Sequence, residues 1–204
     1  MKKIFEFSFL LLTFITTSAL GDDAHALQSR LSQINNFYAS FIQQIIDNKG
    51  IKVEEGQGEL WVKRPNLFNW HIISPNENIL ISDGKTLWVY NPLLKQVNAN
   101  WLKNIADNNV PFLLMIRNNI ADWKQYNIHK ERDVFYLIPK YDRSNLRQFT
   151  IQITSNGTIE NFMYLDQDNQ LIAFQLTHQN FNPINVEKFH FTIPNHVILD
   201  DQRQ

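Results

Sequence analysis

The stretch Gly56–His71, GQGELWVKRPNLFNWH, decides the fold of this chain. Apolar side chains alternate with polar ones on both sides of its central Arg-Pro-Asn segment, so that Leu60 and Val62 share one face of an extended segment. Phe68 and Trp70 share one face of the next segment. Proline and asparagine form turns, and short turns join antiparallel neighbours. The stretch therefore predicts a β-hairpin with one apolar face.

The same period of two continues through most of the chain. A first strand is predicted from Phe37 onward. Further candidate strands are 53–64, 66–73, 78–82, 85–90, 123–129, 134–139, 146–153, 158–166, 170–177 and 188–193. Turn-forming pairs such as Asp83-Gly84 and Asn156-Gly157 separate several of them. Ten or so short antiparallel strands predict a sandwich or a barrel.

Three segments have a helical pattern instead. Apolar residues recur at helical spacing over about residues 23–35, and a second helix is predicted from Pro111 to about Arg117 because proline suits the first helical position. A third is predicted from Pro183 to about Glu187. Several strands are apolar on both faces, so helical pieces must cover one of those faces or a pocket must open onto it.

The N-terminus has the pattern of an export signal. Two lysines precede the apolar stretch Phe7–Ile15, and small residues lead up to Gly21. The apolar stretch is shorter than the roughly 20 residues that a membrane-spanning helix needs. We expect a signal peptide over residues 1–21, with cleavage after Gly21 (or, as a second choice, after Ala26), and one domain over 22–204 that works outside the cytoplasm.

Composition excludes several classes of protein. The formal net charge is −1 and no run of basic residues stands out, which argues against a nucleic-acid partner. The chain has no cysteine, so it contains no disulfide and no thiol nucleophile. Its six histidines never fall at paired metal-ligand spacing, and the common catalytic motifs are missing. We therefore expect no metal, no cofactor and no enzymatic activity, although scattered carboxylates leave an enzyme acting on lipid or glycan as a minor alternative.

The chain is rich in large aromatic side chains, with 5 Trp, 15 Phe and 6 Tyr. One interpretation is an ordinary sandwich core, since aromatic stripes usually belong to the core. The other is a concave apolar surface that receives an acyl chain. Burial there would contribute about 0.8 kcal/mol for each methylene group.

The stretch 56–71 also resembles the signature of the LolA family, the periplasmic carriers of outer-membrane lipoproteins. The resemblance continues in the same order through residues 81–88, 90–92, 101–103, 111–112, 122–128, 148–151 and 200–203. It implies a mainly β fold with a few helices, an unclosed antiparallel β-barrel (half-barrel) with a helical lid over an apolar cavity. It also implies a soluble, monomeric periplasmic carrier. Such a carrier accepts lipoproteins from an ATP-driven inner-membrane complex of the LolCDE type and delivers them to an outer-membrane receptor of the LolB type.

The resemblance implies a gate as well. In that family, an arginine at the position of Arg64 ties the lid shut by bonding to backbone carbonyls, and the matching lid positions are Leu31, Met115 and Ile116. Arginine suits this task because it has five fixed donors and keeps its charge. For the acyl-chain pocket we predict Trp61, Phe68, Trp70, Leu80, Trp88 and Phe112.

Two binding proteins of other kinds are alternatives. A receptor of the same fold anchored in the outer membrane would need a lipidated cysteine after its signal, and this chain has none. A periplasmic binding module for another amphiphile, such as a free fatty acid or a glycolipid, stays open on the sequence.

Overall fold

The computed structural model describes residues 20–105, 112–117, 119–141 and 145–203. Twelve strands form one sheet in the order β12-β6-β5-β4-β3-β2-β1-β11-β10-β9-β8-β7. They are β1 (Asn36–Ile46), β2 (Lys52–Lys63), β3 (Leu67–Ser74), β4 (Asn78–Asp83), β5 (Thr86–Asn91), β6 (Gln96–Trp101), β7 (Tyr126–Glu131), β8 (Val134–Pro139), β9 (Leu146–Ile153), β10 (Ile159–Asp166), β11 (Leu171–Asn180) and β12 (Ile198–Asp201). Every neighbouring pair is antiparallel except β12 with β6. The two edges of the sheet do not pair, so the predicted unclosed barrel is confirmed.

Helices are few and short. They are α1 (Leu20–Ser32), α2 (Phe112–Arg117) and α3 (Ile120–Trp123), with 3₁₀ turns at Leu102–Asn104 and Val186–Phe189. None of these described helices is long and apolar enough to cross a membrane. The predicted first position of the second helix, Pro111, lies outside the described residues, as does most of the predicted signal peptide. The signal and the boundary at Gly21 therefore stay predictions.

Four sequence-based assignments need correction. The pattern that predicted a strand from 123 begins inside α3, and β7 starts only at Tyr126. Strand β6 was not predicted, because small and polar residues alternate along it. The predicted strand 188–193 and the predicted helix from Pro183 are replaced by the 3₁₀ turn at Val186–Phe189 and irregular chain, and the last strand is β12. The alternation at 188–193 arises from packing: Phe189 is buried and Phe191 stacks on Trp88 at 5.4 Å.

Cross-strand pairing defines an inner and an outer face. Leu60 pairs with Trp70, Trp70 with Leu80, and Leu80 with Val89, so these four side chains form one row on the inner face. The inner face continues across β1, β11, β10 and β9 through buried apolar residues. The predicted shared faces of Leu60 with Val62 and of Phe68 with Trp70 are confirmed by their burial.

Glycine lets an aromatic ring lie against the sheet in β2. A Cβ atom added to Gly58 would stand 2.2 Å from the His71 carbonyl oxygen and 2.4 Å from Cζ of Phe41. The missing side chain therefore makes room for the ring of Phe41, which is buried on the inner face and contacts Trp70 with 5.4 Å between ring centroids.

Helix α1 covers the far end of the inner face and one sheet edge. Leu27 and Leu31 are fully buried, and Arg30 donates to Asp133 at 2.6 Å and to the Ile153 carbonyl oxygen. At the β7 edge, the Asp23 carboxylate accepts the backbone N–H of Lys130. Unpaired backbone groups of an edge strand favour pairing with another chain. The Asp23 contact occupies one of these backbone donors in β7.

The C-terminal segment covers part of the outer face. Asn69 in β3 donates to the Lys188 carbonyl oxygen at 2.9 Å, and the ammonium group of Lys188 lies 4.4 Å from the ring centroid of Trp61. At the end of the segment, the Arg203 guanidinium lies 4.6 Å from the ring centroid of Trp88 and pairs with Asp201. The C-terminal segment therefore covers the outer face of the sheet between β2 and β6.

We expect Gly58→Ala to lower the free energy of unfolding by about 1–3 kcal/mol, because the new Cβ overpacks a backbone carbonyl and the Phe41 ring. Urea unfolding followed by circular dichroism measures it. The matched control is Gly50→Asn, at a turn with φ 79° and open space around it. Asparagine tolerates this conformation, so the control should stay within about 0.5 kcal/mol of the wild type. Equal stability of both variants would contradict the close packing at Gly58.

Candidate functional site

Helix α2 lies in the hollow of the half-barrel. Its residues Phe112, Leu113, Leu114, Met115 and Ile116 are each at most 3% exposed, although the helix has only six residues. A surface helix normally presents one polar face to water, whereas a helix that is apolar all round is buried. Helix α2 therefore fills the concave side of the sheet with side chains from every face.

An aromatic cluster joins α2 to the sheet. Trp70 is 8% exposed, and its ring centroid lies 4.7 Å from Phe112 and 5.0 Å from Phe174. Phe112 also contacts Phe68 at 5.9 Å and Phe162 at 6.0 Å. Most of these pairs meet edge to face, the geometry that the ring quadrupoles favour. The interior thus offers large apolar rings on a curved wall, with one more ring supplied by α2.

Arg64 connects the end of β2 to the end of α2. Its backbone N–H donates to the Asn35 carbonyl oxygen at 2.8 Å, and its Nη2 donates to the Met115 carbonyl oxygen at 2.8 Å. The last four carbonyls of a helix have no partner inside the helix, and the helix dipole puts partial negative charge there. Arg64 therefore satisfies one of these carbonyls with a charged donor, across 51 positions of sequence.

Burial lowers the pKa of this arginine but leaves its charge in place at neutral pH. Desolvation lowers the pKa of Arg64 to about 10. That pKa still lies well above neutral pH, so the guanidinium remains protonated and the bond to Met115 remains charge-assisted.

The structure brings four of the six predicted pocket residues together. Phe68, Trp70 and Phe112 belong to the buried aromatic cluster, and Leu80 packs against it from β4. Trp61 and Trp88 do not join them, because both belong to the cross-strand row that contains Asn69 and Ile81 on the outer face. They contact the C-terminal segment instead, which corrects their predicted place in the pocket.

The predicted lid residues lie on two helices. Met115 supplies the carbonyl that Arg64 contacts, and Ile116 follows it, buried, in α2. Leu31 is fully buried in α1, and its carbonyl oxygen accepts the Ile34 N–H at the end of that helix. The role of these residues in gating stays a prediction.

Three aromatic residues of the interior were not among the predicted pocket residues. They are Phe41 in β1, Phe162 in β10 and Phe174 in β11, all of which contact Trp70. Each occupies an apolar position of its strand, so the period-two pattern carried a signal for burial. It carried no signal for which strands bring their side chains to Trp70 across the hollow of the curved sheet.

A cavity of about 670 Å³ opens beside the turn that follows Arg64 and the end of α2. Its wall combines the turn after Arg64, the β4–β5 turn, the end of β6 and the end of α2. Residues of these four elements include Pro65, Lys85, Trp101, Lys103 and Arg117.

Together, the fold and this site define a class: an open β half-barrel whose aromatic concave face is occupied by a short apolar helix, with an arginine from the sheet bonded to the helix end. Comparison with known proteins narrows the class to one family. The model of the family "Outer membrane lipoprotein carrier protein LolA" matches residues 32–192. The chain belongs to the LolA family.

Individual relatives support the assignment to this family. The chain is 53% identical to an outer-membrane lipoprotein carrier protein of Sodalis glossinidius and 51% identical to one of Serratia proteamaculans, in each case over all of both chains. Among solved structures, an uncharacterized conserved protein from Thermus thermophilus matches with a TM-score of 0.58 and 11% identity. That match covers 87% of this chain and 98% of the other, and it concerns the fold alone.

The lowered pKa of Arg64 leads to a prediction about pH. A base whose pKa is lowered on folding carries a constant cost of burial below the folded pKa, and that cost falls only as pH rises through about 10. The stability difference between the wild type and Arg64→Met should therefore be constant, within about 0.5 kcal/mol, from pH 5 to 8.5. Urea unfolding of both proteins across this range measures it. A difference that changes steadily between pH 7 and 8.5 would show that Arg64 loses its proton there.

Proposed function

We propose that this protein is a soluble periplasmic carrier that binds the acyl chains of lipoproteins and delivers them to the outer membrane. The observation that carries the proposal is the apolar helix α2, buried in an aromatic hollow and tied to the sheet by Arg64. An acyl chain has the same apolar character as the side chains of α2, so the two can occupy the hollow in turn. The curated relatives, named outer-membrane lipoprotein carrier proteins, support the same function.

The energetics of exchange favour a carrier over a permanent binder. Burial contributes about 0.8 kcal/mol per methylene, so ten methylenes contribute on the order of 8 kcal/mol. Acyl-chain binding is opposed by the free energy of removing α2 from the hollow, because this removal exposes five buried side chains or moves them elsewhere. The Arg64 bond adds about 1.5–3 kcal/mol to the closed state. Net affinity is the free energy of acyl-chain burial minus the free energy of removing α2. The site therefore binds cargo without holding it too tightly for release.

The carrier needs a donor and an acceptor of cargo. We propose an ATP-driven inner-membrane complex of the LolCDE type as donor and an outer-membrane receptor of the LolB type as acceptor. Cargo transfer between them requires no covalent bond to be made or broken, so we propose no enzymatic activity. The N-terminal export pattern supports the periplasm as the place of work.

The direct test is release of a lipoprotein from inner-membrane vesicles. We expect the purified mature chain to release lipoprotein from energised vesicles as a soluble complex of the two proteins. Size-exclusion chromatography of the supernatant, with detection of both chains, measures it. The control is the same incubation without ATP. A supernatant that contains fatty acid or glycolipid bound to the chain, but no lipoprotein, would contradict the proposal in favour of a binding module for another amphiphile.

The gate is tested by Arg64→Leu. Without the bond to Met115, α2 leaves the hollow more easily, so the variant should bind lipoprotein more tightly and transfer it to the outer-membrane receptor roughly 10- to 100-fold more slowly. Transfer from a preformed complex to receptor-bearing vesicles measures the rate.

Arg147→Leu is the matched control for this experiment. Arg147 is exposed in β9 and contacts Asn169, so its loss removes the same charge away from α2. The control should transfer cargo at the wild-type rate. Transfer at the wild-type rate by Arg64→Leu as well would contradict the gate.

A further inference from the structure

The aromatic interior contains a polar hydrogen that no described residue accepts. The indole Nε1 of Trp70 is buried and has no hydrogen-bond partner within the described part of the chain. The residue itself is 8% exposed and is surrounded by the rings of Phe41, Phe112, Phe162 and Phe174. Buried tryptophan N–H groups usually find a partner. This one is held among phenylalanine rings that offer no acceptor oxygen.

An unpaired buried donor is unfavourable for the closed state. Leaving such a group unsatisfied disfavours a structure relative to one that pairs it. Phenylalanine at this position would fill most of the same space without a donor. A ligand that brought an acceptor oxygen into this interior would therefore pair an N–H that the side chains leave unpaired.

A second unpaired polar atom lies on the same face. Oδ1 of Asn78 is buried and likewise lacks a partner among the described residues. Asn78 pairs with Ile72, two positions along β3 from Trp70, so the two polar groups are diagonal neighbours on adjacent strands. Such neighbours are about 7–8 Å apart. The apolar wall thus includes one donor and one acceptor close together, on the side of the sheet that α2 covers.

We infer that Trp70 Nε1–H donates a hydrogen bond to the ester or amide carbonyl oxygen of a bound acyl chain. The inference rests on the proposed function and adds to it a polar contact that recognises the head of the chain. An acyl carbonyl is the acceptor that every ester- or amide-linked fatty chain brings with it, and an alkyl ether chain has no acceptor at that position. With α2 displaced, Phe112 leaves the Trp70 ring, which it contacts at 4.7 Å in the closed state, and the carbonyl takes that place.

The position of Trp70 gives the bound chain a direction. If the carbonyl lies at the indole, the methylenes run across the inner faces of β1, β11 and β10, where Phe41, Phe174 and Phe162 form a continuous apolar surface. The polar glyceryl part lies toward Asn78, whose Oδ1 accepts from a hydroxyl group. The unpaired donor thereby selects acyl chains over alkyl chains and fixes how deep the chain enters.

The test compares two ligands that differ only at the carbonyl. They are monopalmitoylglycerol, an ester, and hexadecyl glyceryl ether, which has the same chain length and the same hydroxyls. Displacement of a dansyl-labelled fatty acid measures both dissociation constants. The wild type should bind the ester about three- to tenfold more tightly than the ether. In Trp70→Phe this ratio should fall to about one, while the ether binds as before within about a factor of two.

Two further variants make the result specific. Site-specific replacement of Trp70 by benzothienylalanine, in which sulfur takes the place of the N–H, should abolish the ester preference while keeping the shape of the ring. Trp61→Phe removes an indole from the outer face and should keep the preference. Equal binding of ester and ether by the wild type, or an unchanged preference in the benzothienylalanine protein, would overturn the inference while leaving the carrier function intact. Failure of the wild type to bind either ligand would overturn the carrier function as well.

Discussion

An open sheet with an apolar concave face must cover that face, and this requirement governs the rest of the structure. The twelve strands do not close, so the inner rows of aromatic and aliphatic side chains would meet water if nothing lay against them. The chain meets the requirement with helix α2, a short segment that is apolar on every side. Because α2 touches the interior through side chains and Arg64, and not through a backbone ladder, it is the part of the cover that another apolar group can replace.

The two faces of the sheet are covered in different ways. On the outer face, the C-terminal segment is held by a buried phenylalanine, by cation–π contacts at Trp61 and Trp88, and by the pairing of β12 with β6. On the inner face, the bond from Arg64 to Met115 ties the end of α2 to the end of β2, and Arg117 at the end of α2 donates to the Leu102 carbonyl oxygen at 3.4 Å. The C-terminal segment contributes strand β12 to the sheet, so its removal would break strand pairing. Helix α2 pairs with no strand, so its removal would leave the sheet intact. This difference supports the proposed exchange of cargo on the inner face.

Much of the fold followed from the sequence because period-two alternation is a local property. The strands from β2 to β5 and from β8 to β11 were predicted to within a few residues. Trp61 and Trp88 were misplaced because each lies between two inward residues, and a shift of one position moves a side chain to the opposite face. Phe162 and Phe174 were missed because their approach to Trp70 depends on strand order. The family resemblance indicated both Arg64 and the lid position Met115, a pairing across 51 positions of sequence that no local pattern could have identified.

The length of α2 has a consequence for the closed state. Isolated helices shorter than about 12–15 residues are marginal in water, so six residues do not hold a helix by themselves. The helical form of α2 therefore depends on its place in the hollow and on Arg64 at its end. Leaving the hollow costs both the packing and the helix, while the released chain regains conformational entropy. In the proposed gate, this entropy offsets part of the packing lost, which favours exchange of α2 for cargo. An unpaired Trp70 N–H in the closed interior shifts the balance in the same direction. A carrier that must accept and release an acyl chain with the same site requires a closed state of this kind, stable enough to exclude water and weak enough to give way to cargo.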